Sequence, residues 1–234
     1  MIEIKRGNIF TTKCQTIVNT VNCVGIMGAG IAYEFKLRFP EMFEKYKSFC
    51  DNGLIDIGNL WIYKLTKDNN DMYEYILNFP TKKHWKYPSK IEYLEKGLEK
   101  FVNTYKEKNI SSIAFPLLGA SKGGIDETVS ISIMRKYLDK IDIPIEIWQF
   151  DSNAKDDLYE DFKEKFINLD DNLIKEQSKL RIDLIKKIKS TLLNENINSM
   201  SGLLSEKGIG DISLEKSFRF IKNFEKNNKN LFNF

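Results

Sequence analysis

The 234-residue sequence is poor in the residues that build metal sites. It has three cysteines (Cys14, Cys23 and Cys50) without metal-ligand spacing, and its single histidine is His84. A structural zinc site is therefore not expected, and we expect neither a metal nor a cofactor. The net charge of +3 is also small, so any contact with nucleic acid must come from a local patch of the surface.

Long hydrophobic runs are also missing. No stretch approaches the ~20 apolar residues that a membrane span needs, so no membrane contact is expected. Residues 1–7 alternate as a strand does and do not have the pattern of a signal peptide. With 42% hydrophobic and 29% charged residues, the composition is typical of a soluble globular protein, which we expect to be cytoplasmic and monomeric.

Two glycine-rich loops, each following a short apolar strand, carry most of the information. They span residues 22–32 and residues 118–125. Glycine lets a ligand approach the backbone closely, and the N–H groups at the start of the helix that follows suit a phosphate. Two such loops predict two phosphates, as in a diphosphate held between strand ends. The alternative is that the glycines only form tight turns.

Strand-like and helix-like segments alternate over residues 1–151. Apolar runs predict strands near residues 2–4, 16–19, 60–65, 73–79, 111–115 and 143–150, and helical spacing predicts helices between them. Ser89 is expected to begin the helix of residues 89–105, with Glu92 completing a capping box. The alternation predicts a three-layer α/β/α domain with a mixed central sheet. Ligands in such folds bind at the carboxyl ends of strands, where both glycine loops fall.

Residues 152–234 are expected to form a separate helical C-terminal extension. Residues 156–169 and 173–193 each have the pattern of one amphipathic helix. From residue 151 onward, 15 basic residues are balanced by 15 acidic ones, which makes this part a poor candidate for an electrostatic nucleic-acid arm. Its phenylalanines, in residues 218–234, are expected to pack on the first domain or on a partner.

The motifs of the first domain carry a resemblance to a known family. Gly7-Asn8-Ile9 after the first strand, the loop of residues 16–32, and Pro116-Leu-Leu-Gly-x-x-x-Gly-Gly together resemble a macrodomain, the module that binds ADP-ribose. Residues 21–32, the run Phe35-Lys-x-x-Phe-Pro, and Asn78-Phe-Pro-Thr-Lys-Lys-His-Trp are similar to DarG-type antitoxin macrodomains. The resemblance covers about residues 1–150. It implies an enzyme that removes ADP-ribose from a thymine base in single-stranded DNA and so reverses the modification made by a DarT-type toxin.

The resemblance also implies how ADP-ribose is bound. In that family the first loop cradles the diphosphate and the distal ribose, and the second loop closes over the same groups. Asn22 would bind ribose hydroxyls or, alternatively, cap its own loop; Asn8 would accept from the adenine amino group; Phe150 would stack on the adenine or belong to the core. Gly119→Val or Gly28→Glu would fill the space of the diphosphate. The expected contacts are Asn8, Ile9, Asn22, Gly25, Ile26, Met27, Gly28, Ala29, Gly30, Ile31, Ala32, Thr81, Leu118, Gly119, Ala120, Ser121, Lys122, Gly123, Gly124, Ile125 and Phe150.

Lys82, Asp126 and Asn22 are the expected catalytic residues. Related glycohydrolases are thought to use a lysine near the anomeric carbon of the distal ribose, and Lys82 matches that lysine. Its neutral amine would attack this carbon, and partial desolvation or the adjacent charge of Lys83 would lower its pKa. Alternatively, Lys82 only pairs with the diphosphate or is one of a solvated basic pair. Asp126 matches an acid that assists the lysine, and a helix N-cap is its alternative or additional role.

A basic segment with interleaved aromatic residues adjoins Lys82. Cations neutralise phosphates and aromatic rings stack on bases, so the segment suits a nucleic-acid strand whose target base is unstacked. Taken alone, such a segment is more often a solvated loop with one buried tryptophan. The expected DNA contacts are Lys83, His84, Trp85, Lys86, Tyr87 and Lys90.

Two other functions stay open from the sequence. The chain could be an ADP-ribose reader, or a hydrolase of ADP-ribosylated protein or O-acetyl-ADP-ribose, which would use the same loops but has no need of the basic segment. It could also be mainly an interaction protein whose helical extension sequesters a toxin.

Overall fold

The computed structural model describes residues 1–66, 73–151 and 153–232, without the side chains of residues 225–232. The chain divides into two compact units, Met1–Asp151 and Ser152–Phe234. In the first unit, strands and helices alternate in the order β1 Ile2–Gly7, β2 Thr16–Asn22, α1 Gly30–Arg38, α2 Pro40–Asp51, β3 Trp61–Lys64, β4 Tyr75–Lys82, α3 Ile91–Thr104, β5 Ile113–Pro116, α4 Glu127–Leu138 and β6 Ile145–Phe150.

The six strands of the first unit form one sheet in the order β1-β6-β5-β2-β4-β3. Every neighbouring pair is parallel except β3 and β4, which are antiparallel, so the sheet is mixed. Parallel neighbours need crossover connections, and the helices supply them. As a result, the carboxyl ends of β2, β4, β5 and β6 all lie at the same edge of the sheet, and the segments that follow them meet there.

Helices cover both faces of this sheet. Side chains alternate along β2, so Ile17 and Val21 pack with residues of α1 and α2, whereas Val18 packs with residues of α3 and α4 on the other face. The three-layer α/β/α arrangement with a mixed sheet is therefore confirmed. Among the described residues, no helix combines the length and the apolar character needed to cross a membrane.

The start of α3 differs from its prediction. The helix begins at Ile91, with Lys90 at the N-cap and without a capping side chain. Ser89 is buried instead, and its backbone N–H donates to the oxygen of Gly123 at 2.8 Å. The predicted capping box of Ser89 and Glu92 is therefore wrong, because Ser89 is committed to a loop that is distant along the chain.

The second unit is helical, as expected. Its helices are α5 Asp157–Asn168, α6 Asp171–Ser178, α7 Ile182–Leu192, α8 Met200–Leu204 and α9 Asp211–Phe232. The single helix predicted for residues 173–193 is wrong, because Lys179 adopts a left-handed conformation with φ of 58° and separates α6 from α7. The ring of Phe218 lies 6.1 Å from that of Phe162 on α5, so this phenylalanine packs within its own unit. The side chains of Phe232 and Phe234 lie outside the described residues.

Candidate active site

The first glycine-rich loop joins β2 to α1 and is shaped by the side chain of Asn22. The amide Nδ2 of Asn22 donates to the backbone oxygen of Ile26, and its Oδ1 accepts from the N–H of Val24 at 3.0 Å. The hydroxyl of Tyr46, on α2, donates to the backbone oxygen of Asn22 at 2.7 Å. The buried Asn22 therefore has the loop-capping role that the sequence left as an alternative. Its contact with ribose stays a prediction.

This loop leads into a helix start that is open to a ligand. Ala29 is extended, Gly30 begins α1 with φ of 58°, and no side chain of the described residues caps the helix. The first N–H groups of a helix have no partner within it, and they bind phosphate readily. Met27 is fully buried in the core that α1 and α2 share with the sheet, so the loop is anchored from below. The predicted diphosphate contacts thus surround one uncapped helix start.

The second loop closes on itself through two glycines. Gly119 and Gly124 have φ of 69° and 80° and enclose a short 3-10 turn, Ser121–Gly123. The N–H of Ile125 donates to the oxygen of Gly119 at 2.9 Å. A Cβ on Gly119 would lie 2.7 Å from Cδ1 of Ile125. The reason given for Gly119→Val is therefore wrong, because the new side chain would enter the packed interior and not the space of the diphosphate.

Both loops meet at Lys82, the last residue of β4. A register shift after Val21 pairs Asn22 with Lys82 on the neighbouring parallel strand. The amine of Lys82 donates to the backbone oxygen of Lys122 in the second loop. A Cβ on Gly30 would lie 4.0 Å from Cγ of Lys122, so the stem of Lys122 adjoins the first loop. The structure thus brings one amine and both predicted phosphate loops together.

The surroundings of Lys82 favour its neutral form. Desolvation of the partly buried amine, followed by the positive charge of Lys122, lowers the pKa of Lys82 below its ordinary value. Of the two causes that the sequence left open, desolvation is therefore confirmed, and the charge of Lys83 is wrong. The ammonium of Lys83 forms an ion pair with Asp56, whose hydrogen bond raises the pKa of Lys83. The neighbouring charge therefore comes from the second loop and not from the adjacent residue.

Asp126 caps α4. Its Oδ1 accepts from the N–H groups of Thr128 at 2.9 Å and Val129 at 3.3 Å, and from the Thr128 hydroxyl. The hydroxyl bond is the main cause of a lowered pKa of Asp126, so this exposed carboxyl is ionised at neutral pH. The N-cap role is therefore observed. Assistance to Lys82 stays a prediction.

The predicted adenine contacts lie where β1 and β6 end. Gly7 pairs with Phe150 across these two parallel strands. The Phe150 side chain is 69% exposed, so its alternative role in the core is wrong and its face is available for stacking. Oδ1 of Asn8 accepts from the N–H of Phe10 at 3.0 Å and caps a short 3-10 turn. A bond from adenine to Asn8 would share this oxygen.

The segment after Lys82 presents a cluster of rings to solvent. Trp85 is 49% exposed and Tyr87 is 66% exposed, so the alternative of a buried tryptophan is wrong. The His84 ring is 5.6 Å from the Trp85 ring at 25° and equally far from the Tyr87 ring. The ammonium of Lys86 lies 5.2 Å from the centre of the Trp85 ring. Rings and a cation together form a surface on which a base could stack.

Two of the lysines that were expected to contact DNA have acidic partners. One of these partners, Asp56, could not be found from the sequence. Lys83 pairs with Asp56, and Lys90 lies 3.7 Å from Glu92. Asp56 comes from the loop after α2, and no spacing in the sequence connects it to the site. The N–H of Ile57 also donates to the Asp56 carboxylate at 2.7 Å, which fixes its direction. Asp56 thus ties the chain after β4 to the loop after α2.

The remaining predicted contacts with ADP-ribose divide by exposure. Buried positions can meet a ligand mainly through their backbone, whereas exposed positions can also use side chains. Exposed or partly exposed are Ile26, Gly28, Ala29, Gly30, Ile31, Ala32, Ala120, Ser121, Lys122, Gly124 and Ile125; buried are Ile9, Gly25, Met27, Thr81, Leu118, Gly119 and Gly123. No group of three His, Cys, Asp or Glu side chains that could hold a metal is found in the described parts of the chain.

Half of the chain matches the model of a known family. The Macro domain profile matches residues 18–134. A DNA ADP-ribosyl glycohydrolase of Mycobacterium tuberculosis is 44% identical over 126 residues, which are 54% of this chain and 35% of that protein. A protein of the same name from Thermus aquaticus is 37% identical over 153 residues, covering 64% of this chain and 41% of that one. The chain thus spans well under half the length of these relatives.

Solved structures give the same likeness. The macrodomain of Mycobacterium tuberculosis DarG matches with a TM-score of 0.60 and 38% identity over 63% of this chain and 97% of that one. Thermosipho africanus DarTG in complex with ADP-ribose matches with a TM-score of 0.58 and 32% identity, covering 64% of this chain and 41% of that one. The second of these structures contains ADP-ribose, the ligand predicted for the present chain.

Proposed function

The chain belongs to the macrodomain family, and from this premise we propose that it is a DNA ADP-ribosyl glycohydrolase. The observation that carries the proposal is the position of Lys82. Its amine lies between the two phosphate loops and has a lowered pKa, and the exposed rings of residues 84–87 follow directly in the chain. A module that only reads ADP-ribose needs the loops but neither of the other two features.

The first loop and the start of α1 would hold the diphosphate through backbone N–H groups. The second loop would cover it, with Lys122 contributing a positive charge beside the first loop. Phe150 would support the adenine at the far end of the ligand. The distal ribose would then lie towards Lys82, where the two loops meet, and its anomeric carbon would face the amine.

The proposed chemistry begins with the neutral amine of Lys82. Its nitrogen lone pair forms a bond to the anomeric carbon while the bond from this carbon to the base nitrogen breaks. The electron pair of the broken bond stays on the base, which takes up a proton, and the lysine nitrogen loses one. Opening of the sugar ring gives a protonated Schiff base. Water then adds to its carbon and returns the free amine together with ADP-ribose.

The half-exposed rings next to Lys82 would select DNA over protein substrates. Chemistry on a base requires that base to leave its stack, so a single strand is the favoured substrate. Stacking on an aromatic ring contributes about 1–3 kcal/mol per base, which corresponds to roughly 5- to 150-fold in affinity. Trp85 and Tyr87 would supply such stacking to the modified base or to its neighbour.

A DarT-type toxin is the proposed functional partner. One relative, from Thermosipho africanus, is named a DNA ADP-ribosyl transferase-DNA ADP-ribosyl glycohydrolase fusion protein and is 32% identical over 160 residues. In that protein the two opposing activities share one chain. We propose that the present chain opposes such a transferase by removing its product, as an antitoxin in the cytoplasm.

The test uses a single-stranded oligonucleotide that carries ADP-ribose on thymine, with an ADP-ribosylated protein as the competing substrate. Mass measurement of the oligonucleotide and of the released sugar is expected to show hydrolysis of the DNA substrate. Trp85→Ala is expected to raise KM for this substrate by about 5-fold or more while free ADP-ribose binds as before. Equal rates on both substrates would favour a protein-directed hydrolase, and an unaffected KM in Trp85→Ala would mean that Trp85 does not stack on the DNA. Binding of ADP-ribose without any hydrolysis would favour a reader.

A further inference from the structure

The second unit contains a helix-hairpin-helix element that the proposed activity does not use. Its helices are α8 and α9, and residues 205–210 join them through Gly208-Ile-Gly210. Ile209 is buried, and its N–H donates to the oxygen of Glu206 at 3.1 Å. Met200, Leu203 and Leu214, from the two helices, are fully buried. This packing holds the hairpin against its unit, with Ile209 turned inward and the two glycines exposed.

The two glycines of the hairpin leave its backbone bare. Both are exposed, and Gly208 has a φ of 91° that favours glycine. A Cβ on Gly208 would meet no described atom within 4 Å, and one on Gly210 would meet only Oγ of Ser213 at 3.9 Å. A polyanion can therefore approach the main chain at this point without a side chain in the way.

Cations extend from the hairpin along the exposed side of α9. Lys207 directly precedes Gly208, and Lys216 and Arg219 lie on the helix side that also exposes Ile212. In the parts of the chain that the structure describes, none of these three cations is in an ion pair. A row of basic side chains on one side of a helix is the electrostatic pattern of a nucleic-acid contact.

The zero net charge of this unit hides an uneven distribution. Helices α5 and α6 together carry six acidic and three basic residues, whereas the hairpin and the first part of α9, residues 205–224, carry three acidic residues and four basic ones. Local charge and not the sum over the unit decides whether a phosphate backbone is attracted, because screening in physiological salt limits the interaction to about 8 Å. The balanced charge from residue 151 onward therefore does not exclude a local contact with nucleic acid.

We propose that the hairpin and the α9 cations form a second DNA site, which binds backbone phosphates without reading bases. The exposed glycine backbone would approach the strand while Lys207, Lys216 and Arg219 neutralise successive phosphates. Such a site binds modified and unmodified DNA alike and depends strongly on salt. The proposal does not rest on the hydrolase activity, since phosphate binding requires no ADP-ribose.

The experiment measures binding of the full chain to a fluorescent, unmodified 20-nucleotide DNA by anisotropy, as a single strand and as a duplex. One variant combines Lys207→Glu, Lys216→Glu and Arg219→Glu. The matched control reverses three exposed lysines of α6 and α7, by Lys175→Glu, Lys186→Glu and Lys187→Glu. Both variants change the net charge equally, so only the position of the charges differs.

The hairpin variant is expected to bind at least about 10-fold more weakly, and the control is expected to stay within about 3-fold of the wild type. The slope of log K against log salt for the single strand should fall by about 2, because each lost phosphate contact contributes about 0.7. Comparing the two forms of DNA identifies which of them the site prefers. Equal losses in both variants, or no binding of the wild type to either form, would overturn the proposal.

A second variant covers the case in which the triple substitution unfolds the protein. Gly210→Glu places a carboxylate at the hairpin, where a side chain has room and φ is not positive. It is expected to weaken DNA binding with an unchanged unfolding temperature, and unchanged binding would overturn the proposal. The thermal shift with free ADP-ribose, a property of the first unit, should be the same in all these variants. A failure here therefore differs from a failure of the proposed hydrolase.

Discussion

Replacing Lys82 provides the sharpest test of the proposed chemistry. Lys82→Ala removes the amine that would attack the sugar, and a loss of about 1000-fold or more in kcat is expected, equivalent to about 4 kcal/mol of transition-state stabilisation. Binding of free ADP-ribose should change little, because the proposed diphosphate contacts come mainly from backbone N–H groups of the two loops. Lys82→Arg is expected to fail as well, since a guanidinium keeps its charge and cannot supply a neutral amine.

The pH dependence of the wild-type rate follows from the environment of Lys82. At the ordinary lysine pKa, under about 0.1% of the amine would be neutral at pH 7, and each unit by which the pKa falls increases that fraction about tenfold. Burial and Lys122 both lower this pKa. The rate should therefore rise with pH below the lowered pKa and level off above it. Lys122→Ala removes one of the two causes, so its profile should move to higher pH with the same plateau.

The assay is hydrolysis of the ADP-ribosylated oligonucleotide under single-turnover conditions, between pH 6 and pH 10. Borohydride reduction during turnover should trap a covalent adduct on the wild type and none on Lys82→Ala. Lys100→Ala, which changes an exposed lysine on α3, is the control and should behave as the wild type. Near-normal rates in Lys82→Arg, or a flat pH profile, would mean that lysine acts only as a cation. The covalent mechanism would then be wrong.

Four other substitutions test single features of the first unit. Gly28→Glu should abolish the thermal shift with ADP-ribose and leave the fold intact, since its Cβ has room and would meet only a methyl group at 3.6 Å. Gly119→Val should instead lower the unfolding temperature itself. The reverse pattern would refute the assignment of the loops. Asp126→Asn keeps an N-cap and should preserve the unfolding temperature while it slows hydrolysis, and an unchanged rate would leave Asp126 as a cap alone. Gly97→Ala should destabilise the protein by about 1–3 kcal/mol in urea unfolding despite the better helix propensity of alanine, because its Cβ would lie 2.2 Å from the Phe79 ring; greater stability would contradict the packing.

The sheet and both loops could be predicted because their signals are local. A run of β-branched and apolar residues makes β2 a buried strand, and the glycines after it mark the place where the chain turns towards a helix. The position of Lys82 at the end of β4, next to the loops, could be predicted through the motif around it, whereas its catalytic role stays a prediction. The break at Lys179 could not, because a lysine in the left-handed region carries no sequence signal comparable to that of glycine.

Contacts between distant parts of the chain account for the failures. Lys83 follows Lys82 directly, yet its charge is taken up by Asp56, 27 residues earlier. The charge that lowers the pKa of Lys82 belongs to Lys122, 40 residues later. Serine is a common N-cap residue, but Ser89 is buried against the second loop. In each case tertiary packing overrides a preference that neighbours in the sequence suggest.

Binding by the main chain and chemistry by one side chain, as proposed here, have an evolutionary consequence. In the proposed site the diphosphate is held by backbone N–H groups, which most point mutations leave in place, whereas the proposed chemistry depends on one amine. A lineage that loses Lys82 would therefore keep a working ADP-ribose receptor. On the proposed mechanism, one substitution would separate an enzyme that removes the modification from a protein that only binds it, on an unchanged fold.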